Sequence, residues 1–150
     1  MYLVAFLDWF SRRIVAWELS KTLEMPFVLA CTEAAFERAV IEIMNSDQGS
    51  HFTSERYMGR VFAAGAQVSM DGRGRYVDNI FAEHLWRSVK YEEVYLADYE
   101  TPQEARAGLA SYLHFYNEQH PHQAQGNLIP TAVHAEPDRL KIKDSKLCVI

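Results

Sequence analysis

The sequence predicts a single α/β domain with a mixed sheet, and three observations lead to that fold class. The 150 residues fit one domain rather than two. Hydrophobic residues make up 49% of the chain and charged residues 23%, a balance that excludes disordered and collagen-like proteins. Segments with strand character alternate with segments of helical periodicity, in the order strand, strand, helix, strand, helix, strand, helix, helix.

The first half of the chain predicts a hairpin, a helix and a short strand. Aromatic and β-branched residues dominate positions 2–10 and 14–19, and the short polar break between them is typical of an antiparallel hairpin. Pro26 suits the first turn of a helix that runs to about Val40. Residues 41–44 predict a strand, which ends in a run of turn-forming residues.

The second half predicts three more helices and one strand. Ser54 can cap a helix that Gly65 stops, and residues 68–70 form a short strand. A loop with two glycines then precedes a long helix, from Asp78 to about residue 94. Thr101 and Glu104 have the capping-box spacing at the start of a helix that ends near residue 118. From residue 120 onward we expect loop and a polar tail.

Composition excludes several classes of protein. The longest apolar run, residues 1–7, is short of the roughly 20 residues that a membrane-spanning helix needs, and no signal-peptide pattern is present. Cys31 and Cys148 are the only cysteines and neither has a CxxC partner, which argues against a disulfide framework or a cysteine zinc site and fits a reducing cytosol. The net charge of −5 argues against a surface that binds nucleic acid as a whole, but it allows a local basic strip.

Two acidic residues are candidates for metal chemistry. Asp47 follows the strand at 41–44, and Glu83 lies one turn into the helix that begins at Asp78, with 35 residues between them. Carboxylates are hard oxygen ligands suited to Mg²⁺ or Mn²⁺, and paired metals promote chemistry at phosphodiesters. Taken alone, two acids at this distance are most simply solvated surface residues.

Five sequence strings change that interpretation. They are NSDQGSHF at 45–52, DNIFAEHLWRSVK at 78–90, LDWFSRR at 7–13, SMDGRG at 69–74, and Tyr116-Asn117. Together, over residues 2–135, they resemble the integrase core of bacterial insertion-sequence transposases of the OrfB type, a DDE family with the ribonuclease H-like fold. The tail at 136–150 matches nothing in that family, so we expect a partial core at 1–135 and a separate tail.

The resemblance implies a function and assigns roles to residues. It implies DNA strand transfer in transposition with a pair of Mg²⁺ or Mn²⁺ ions, element ends and target DNA as partners, a possible homo-oligomer, no membrane, and a cytoplasmic, nucleoid-associated location in a bacterium. Asp47 matches the second metal-binding acid and Glu83 the third. Lys90 matches a basic residue seven positions after that Glu, and this spacing places both on one helix face.

The resemblance also implies a first catalytic Asp on a central strand upstream of residues 2–10, and this sequence shows no counterpart. Asp8 matches an additional family Asp without a catalytic role, and we expect it to be a turn residue that pairs with Arg12 or Arg13. We therefore expect a ribonuclease H-like sheet that lacks its first, central strand. The strands at 2–10 and 41–44 would then either have unpaired edges, which would make the sheet poorly stable, or pair directly with each other.

Three function classes remain open at this point. The leading one is a fragment of a transposase, inactive alone because the first Asp is absent. The second is a non-catalytic remnant that binds DNA weakly or interferes with intact transposase, and the third is a standalone nuclease. Contacts to DNA are plausible for Arg73, Arg75 and Arg87, although the first two fit a solvated loop and Arg87 fits an i,i+4 ion pair with Glu83.

The histidines have both structural and functional interpretations. His51 neighbours Asp47 and could contact DNA or simply be solvated. His114, His120 and His122 suggest zinc, but no cysteine or acid completes a recognisable ligand set. The string His120-Pro121-His122 also departs from the family, which usually has Arg-Pro-His at these positions. We interpret the large residues of the two long helices as core. They are Phe81, Leu85, Trp86, Val89, Tyr112, Phe115 and Tyr116.

Overall fold

The structure is a computed structural model and describes residues 1–70, 76–136 and 146–149. The strands are β1 (Tyr2–Asp8), β2 (Ile14–Ser20), β3 (Ile43–Ser46), β4 (Gln67–Met70) and β5 (Lys146–Val149). The helices are α1 (Met25–Arg38), α2 (Glu55–Ala63), α3 (Tyr76–Ser88), α4 (Tyr95–Ala97), α5 (Pro102–Glu118) and α6 (Pro130–His134). A π-helical segment, Val89–Val94, joins α3 to α4, and a 3₁₀ turn, Gln123–Gln125, precedes α6.

The strands form one five-stranded mixed sheet in the order β2-β1-β5-β3-β4. The β1–β2 pair is the predicted antiparallel hairpin, with a register shift between Phe6 and Leu7. β3 is parallel to β4, with Ser46 opposite Met70. β5 is antiparallel to β1 and parallel to β3, so it joins the hairpin to the parallel pair.

Helices cover both faces of the sheet. Because successive residues of β1 point to opposite sides, β1 contributes to a core cluster on each face. Val4 and Phe6 pack in one cluster with residues of α1 and α2, among them Val28 and Tyr57. Ala5 and Leu7 belong to a second cluster. Its other members include Leu85 of α3, Val89 of the π-helical segment, and Leu109 and Leu113 of α5.

Several predicted helix starts are confirmed by their caps. The Ser54 hydroxyl accepts the N–H of Tyr57 at 3.2 Å, and Thr101 and Glu104 form the reciprocal capping box of α5. Asn117, from the Tyr-Asn motif, holds the other end of α5 against β2. Its side chain accepts the N–H of Ile14 and donates to the carbonyl of Ile14, both at 2.9 Å.

β5 corrects the expected architecture at one point. The ribonuclease H-like fold has a central strand between the hairpin and the parallel pair, and the sequence suggested an empty slot or direct pairing of β1 with β3. Instead, β5 occupies the slot, with Leu7 opposite Cys148 on one side and Asn45 opposite Cys148 on the other. β5 therefore covers Phe6–Asp8 of β1 and Ile43–Asn45 of β3 on the edges that we expected to be unpaired.

Two further predictions about elements were wrong. The region after residue 120 is not only loop and polar tail, since it contains α6 and β5. The helix predicted through residue 94 is α-helical only to Ser88 and continues as the π-helical segment. Within the described part of the chain, no helix has the length and apolar character needed to cross a membrane.

Candidate functional site

Asp47 lies directly after β3, where it is exposed to solvent. Its Oδ1 accepts the backbone N–H of Gly49 at 2.8 Å, which holds the carboxylate in a tight turn. A Cβ on residue 49 would lie 2.8 Å from the same oxygen, so this carboxylate position requires glycine there. The turn continues into the N–H groups of Phe52 and Thr53, which donate to the carbonyl of Gly49.

Glu83, Arg87 and Lys90 line one open groove of about 560 Å³ on the outer side of α3 and the π-helical segment. The predicted common face of Glu83 and Lys90 is thus confirmed. All three side chains are exposed, whereas Leu85 and Val89 between them are buried against the sheet. The remaining lining residues of this groove are aromatic, namely Trp86, Tyr91 and Tyr95.

The polar side chains of this groove are not engaged with one another. The ion pairs among the described residues join Arg60 to Glu33, Arg106 to Glu18, His120 to Glu92 and His134 to Asp8. The expected i,i+4 pair between Glu83 and Arg87 is therefore not formed. Among the described residues, none forms an ion pair with Glu83, Arg87 or Lys90.

The two acids that follow Tyr91 are bound by tyrosines that do not line the groove. Glu92 accepts the Tyr112 hydroxyl at 2.9 Å and lies 3.9 Å from Nε2 of His120. Glu93 accepts the hydroxyl of Tyr99. Burial, together with this hydrogen bond, raises the pKa of Tyr99 to about 12. Neither acid belongs to the groove lining, which leaves Arg87 and Lys90 with Glu83 as the charged groups there.

The structure does not bring every predicted residue to this groove. Asp47 is not among the residues that line the groove, and Arg73 and Arg75 lie outside the part of the chain that the structure describes. Within residues 1–70, 76–136 and 146–149, no group of three or more His, Cys, Asp or Glu side chains could hold a metal ion. His51 lies against the chain before α1, with Nε2 3.3 Å from the carbonyl of Leu23.

Sequence reasoning missed a buried polar cluster around Asp8. The Asp8 carboxylate is 1% exposed and accepts both the N–H and the hydroxyl of Ser11. Nδ1 of His134 lies 3.1 Å from Asp8 Oδ2 and 3.2 Å from Ser11 Oγ. The Asp8 carboxylate and the Ser11 hydroxyl thus both contact Nδ1 of His134. This arrangement anchors α6 and does not activate a nucleophile. Asp8 is a turn residue as predicted. The N–H of Arg12 donates to the Asp8 carbonyl at 2.8 Å and the Asp8 N–H donates to the carbonyl of Arg13 at 2.9 Å, while the carboxylate also binds Ser11 and lies beside His134.

A second cavity, of about 370 Å³, lies between the hairpin turn, α3 and the end of α5. The guanidinium of Arg12 lies 3.2 Å from the ring centroid of Phe81 at this site. The rings of His120 and His122 are 5.0 Å apart, while His114 is exposed on α5. Burial, with added repulsion from His120 and Arg12, lowers the pKa of His122 to about 4.

Four of the seven large residues predicted as core are buried. Leu85, Val89, Tyr112 and Tyr116 are buried. Trp86 is only half-buried and faces the groove, and Phe115 is 40% exposed. Tyr91 and Tyr95 were not singled out from the sequence, because their positions relative to the core depend on the π-helical segment.

Comparison with known proteins identifies the same family as the sequence motifs. The Integrase core domain family matches residues 1–75, and a second Integrase core domain family matches residues 64–130. The transposase for insertion sequence element IS904 of Lactococcus lactis is 34% identical over 119 residues, which cover 77% of this chain and 47% of that protein. A putative transposase for IS150 of Escherichia coli is 26% identical over 120 residues, covering 78% of this chain and 42% of that protein.

The fold is also found in a solved structure. The catalytic core domain of BIV integrase superposes with a TM-score of 0.74 over 94% of this chain and 90% of that one, at 18% identity. This likeness shows the ribonuclease H-like fold. The chain spans about half the length of the curated relatives it matches. The two family matches and the 34% identical relative together show that this chain belongs to the integrase core family found in insertion-sequence transposases.

Proposed function

We propose that this chain is the DNA-binding core of a transposase and that its site serves DNA strand transfer in transposition. The observation that carries this proposal is the open groove in which Glu83, Arg87 and Lys90 lie together without ion pairs. Exposed cations beside an unpaired carboxylate suit a phosphodiester that approaches a metal-binding acid. Element ends and target DNA are the proposed partners, a homo-oligomer the proposed assembly, and the bacterial cytoplasm and nucleoid the proposed location.

The donor set that we propose for a divalent cation consists of two exposed carboxylates. Glu83 has no ion pair with another described residue, and Oδ1 of Asp47 accepts the N–H of Gly49. Asp47 and Glu83 would hold Mg²⁺ or Mn²⁺. A bound cation would supply Lewis-acid activation of the attacking oxygen and stabilise the leaving oxygen. Lys90 and Arg87 would hold the phosphates of the DNA backbone beside these acids.

We also propose that the chain alone does not catalyse strand transfer. The strand in the central slot, β5, has the sequence Lys-Leu-Cys-Val and contributes no carboxylate beside Asn45. The site then has two acids where the family has three, and metal positioning is the main source of rate in this chemistry. This feature favours the second candidate function as well, a remnant that binds DNA and competes with intact transposase.

DNA binding and joining can be measured separately on the purified chain. Fluorescence anisotropy with a labelled duplex should show binding that weakens with salt, and Lys90→Ala and Arg87→Ala should each reduce the salt slope by about one. Arg60→Ala is the matched control, since Arg60 is an exposed cation on α2 that pairs with Glu33. A slope that falls equally in the control would show that the groove is not the DNA site.

The joining assay uses end-labelled element DNA with Mg²⁺ or Mn²⁺. We expect no joined product from this chain. Joined products that disappear in Asp47→Asn would contradict the inactivity proposal while supporting the site. A chain that binds no DNA at any salt concentration would contradict the proposed function itself.

A further inference from the structure

We propose that Tyr91 and Tyr95 form a stacking platform for unpaired nucleotides of a DNA strand that lies in the groove of Glu83, Arg87 and Lys90. This inference rests on the proposed function, since it specifies the form of DNA that the same surface binds. It concerns two residues to which the family match assigns no role here.

The two tyrosines present aromatic surface directly to solvent. Tyr91 is 62% exposed and Tyr95 is 64% exposed, and their rings pack edge to face with centroids 5.3 Å apart. Both line the groove, beside the half-buried Trp86. Large aromatic side chains normally bury most of their surface, so an exposed pair beside cations indicates a surface for a ligand with flat apolar faces.

The local backbone explains why Tyr91 is outside the core, and Tyr95 follows four residues later at the start of α4. Val89 is 2% exposed and fixes the start of the π-helical segment against the sheet. Glu92 and Glu93 are bound by Tyr112 and Tyr99, neither of which lines the groove, and these contacts orient the segment. The remaining residues of the segment then face outward. π-helical segments are frequent at functional sites because they change which side chains share a face.

Charge on the same surface favours a nucleic acid over a second protein chain. Lys and Glu are depleted from the centres of protein interfaces, whereas this groove has Lys90 and Glu83 beside the aromatic rings. Cations that contact phosphates, alternating with rings that stack on bases, are the combination that binds single-stranded nucleic acid. A paired duplex hides its base faces, so the tyrosines can add affinity only where bases are unpaired.

The test compares DNA forms on the full chain. Anisotropy is measured with a blunt duplex, the same duplex carrying a five-thymidine 3′ extension, and the duplex carrying an abasic extension of equal length. We expect the thymidine extension to bind about tenfold tighter than the abasic one, because stacking on aromatic rings adds free energy for each base. Tyr91→Ala and Tyr95→Ala should remove most of this difference without changing blunt-duplex binding.

Two controls separate stacking from other effects. Phe62→Ala removes an aromatic ring of α2 that is 58% exposed and should leave the preference unchanged. Tyr91→Phe and Tyr95→Phe keep the ring and should retain the preference, while circular dichroism confirms that every variant is folded.

Each other outcome overturns the inference. Equal binding of thymidine and abasic extensions, with normal blunt-duplex binding, refutes the platform but leaves the proposed function intact. Loss of all DNA binding in the unmodified chain refutes the proposed function instead. If the tyrosine variants dissociate a dimer in sedimentation experiments and leave the extension preference unchanged, the occupant is a second copy of the chain.

Discussion

At the scale of single residues, the orientation of Asp47 depends on the absence of a side chain at residue 49. The carboxylate oxygen that accepts the Gly49 N–H occupies the space next to the glycine Cα. Sequence alone identified Asp47 and the turn-forming residues after it. The contact with Gly49 was not predictable, because it depends on the backbone path of the turn rather than on any residue pattern.

Gly49→Ala should move the Asp47 carboxylate with little effect on stability. The added methyl group would meet only the end of a side chain that can rotate, so the free energy of unfolding should change by less than about 1 kcal/mol. We expect weaker Mn²⁺ binding in calorimetry. Gly59→Ala is the control, since nothing lies within 4 Å of a Cβ there and helix propensity should raise stability by about 0.5–1 kcal/mol. Unchanged Mn²⁺ affinity in Gly49→Ala would show that the turn does not position a metal ligand.

His122 should make the fold sensitive to acid. Burial, with the charges of His120 and Arg12, lowers the pKa of His122 to about 4, and the opposing attraction of Glu92 does not restore it. The unfolded chain protonates this ring near pH 6.5, so stability is lost as the pH falls below about 6.5 and the loss is complete near pH 4. Urea midpoints between pH 7 and 4 should therefore fall less steeply in His122→Asn than in the unmodified chain. The exposed His114→Asn should leave that dependence unchanged, and an equal effect of both variants would contradict the assignment.

At the scale of elements, the accuracy of the sequence predictions depends on how local their causes are. α5 begins at its capping box and α2 at Ser54, because side chains a few residues apart satisfy the free N–H groups of a helix start. The change from α-helix to π-helix after Ser88 had no such signal. The π-helical segment carries Glu92 and Glu93, which bind the hydroxyls of Tyr112 and Tyr99, and hydrophobic periodicity does not contain those contacts.

Thr101→Ala should destabilise the chain by about 1 kcal/mol, because it removes the acceptor for the Glu104 N–H at the start of α5. α5 carries Leu109 and Leu113 of the second core cluster, so loss of its first turn should appear in global unfolding. Urea denaturation at pH 7 is the measurement. Thr101→Ser keeps the hydroxyl and should lose much less stability. If both variants lose the same amount, packing of the threonine methyl group matters more than the cap.

At the scale of the whole molecule, the sheet is continuous because β5, the last of its strands in chain order, joins the hairpin to the parallel pair. The hairpin was predicted, because its two strands are neighbouring segments, and β3 and β4 were each predicted as strands. The junction between them was not, because β5 is a four-residue strand that pairs with residues about 100 positions earlier in β3 and about 140 positions earlier in β1. The geometry favours pairing within one chain. His134 contacts Asp8, and Leu147 is the register partner of the same residue, so the chain departs from β1 and returns to it within 13 residues.

A disulfide tests the place of β5 directly. Asn45→Cys creates a partner for Cys148, its neighbour in the parallel register, and adjacent strands hold Cα atoms within the range that a disulfide bridges. Mild oxidation should therefore give an intramolecular bond between residues 45 and 148. Closing a loop of about 100 residues should stabilise the oxidised form by up to about 4–5 kcal/mol. Cys31 should not compete, because it is buried and its pKa is raised to about 12.

The control places the new thiol one residue further along β3. Ser46→Cys lies on the opposite face of the sheet from residue 45, so it should not bond to Cys148 although it is equally buried. Equal cross-linking of both variants, or of neither, would mean that β5 does not hold this register, and the central slot would then be empty as the sequence first suggested. Cross-linking that yields covalent dimers would show instead that β5 enters the slot of another copy. A monomeric disulfide specific to residue 45 would show that β5 lies beside β3 in the same chain. Because β5 has no carboxylate, this position is the structural basis for expecting DNA binding without strand transfer.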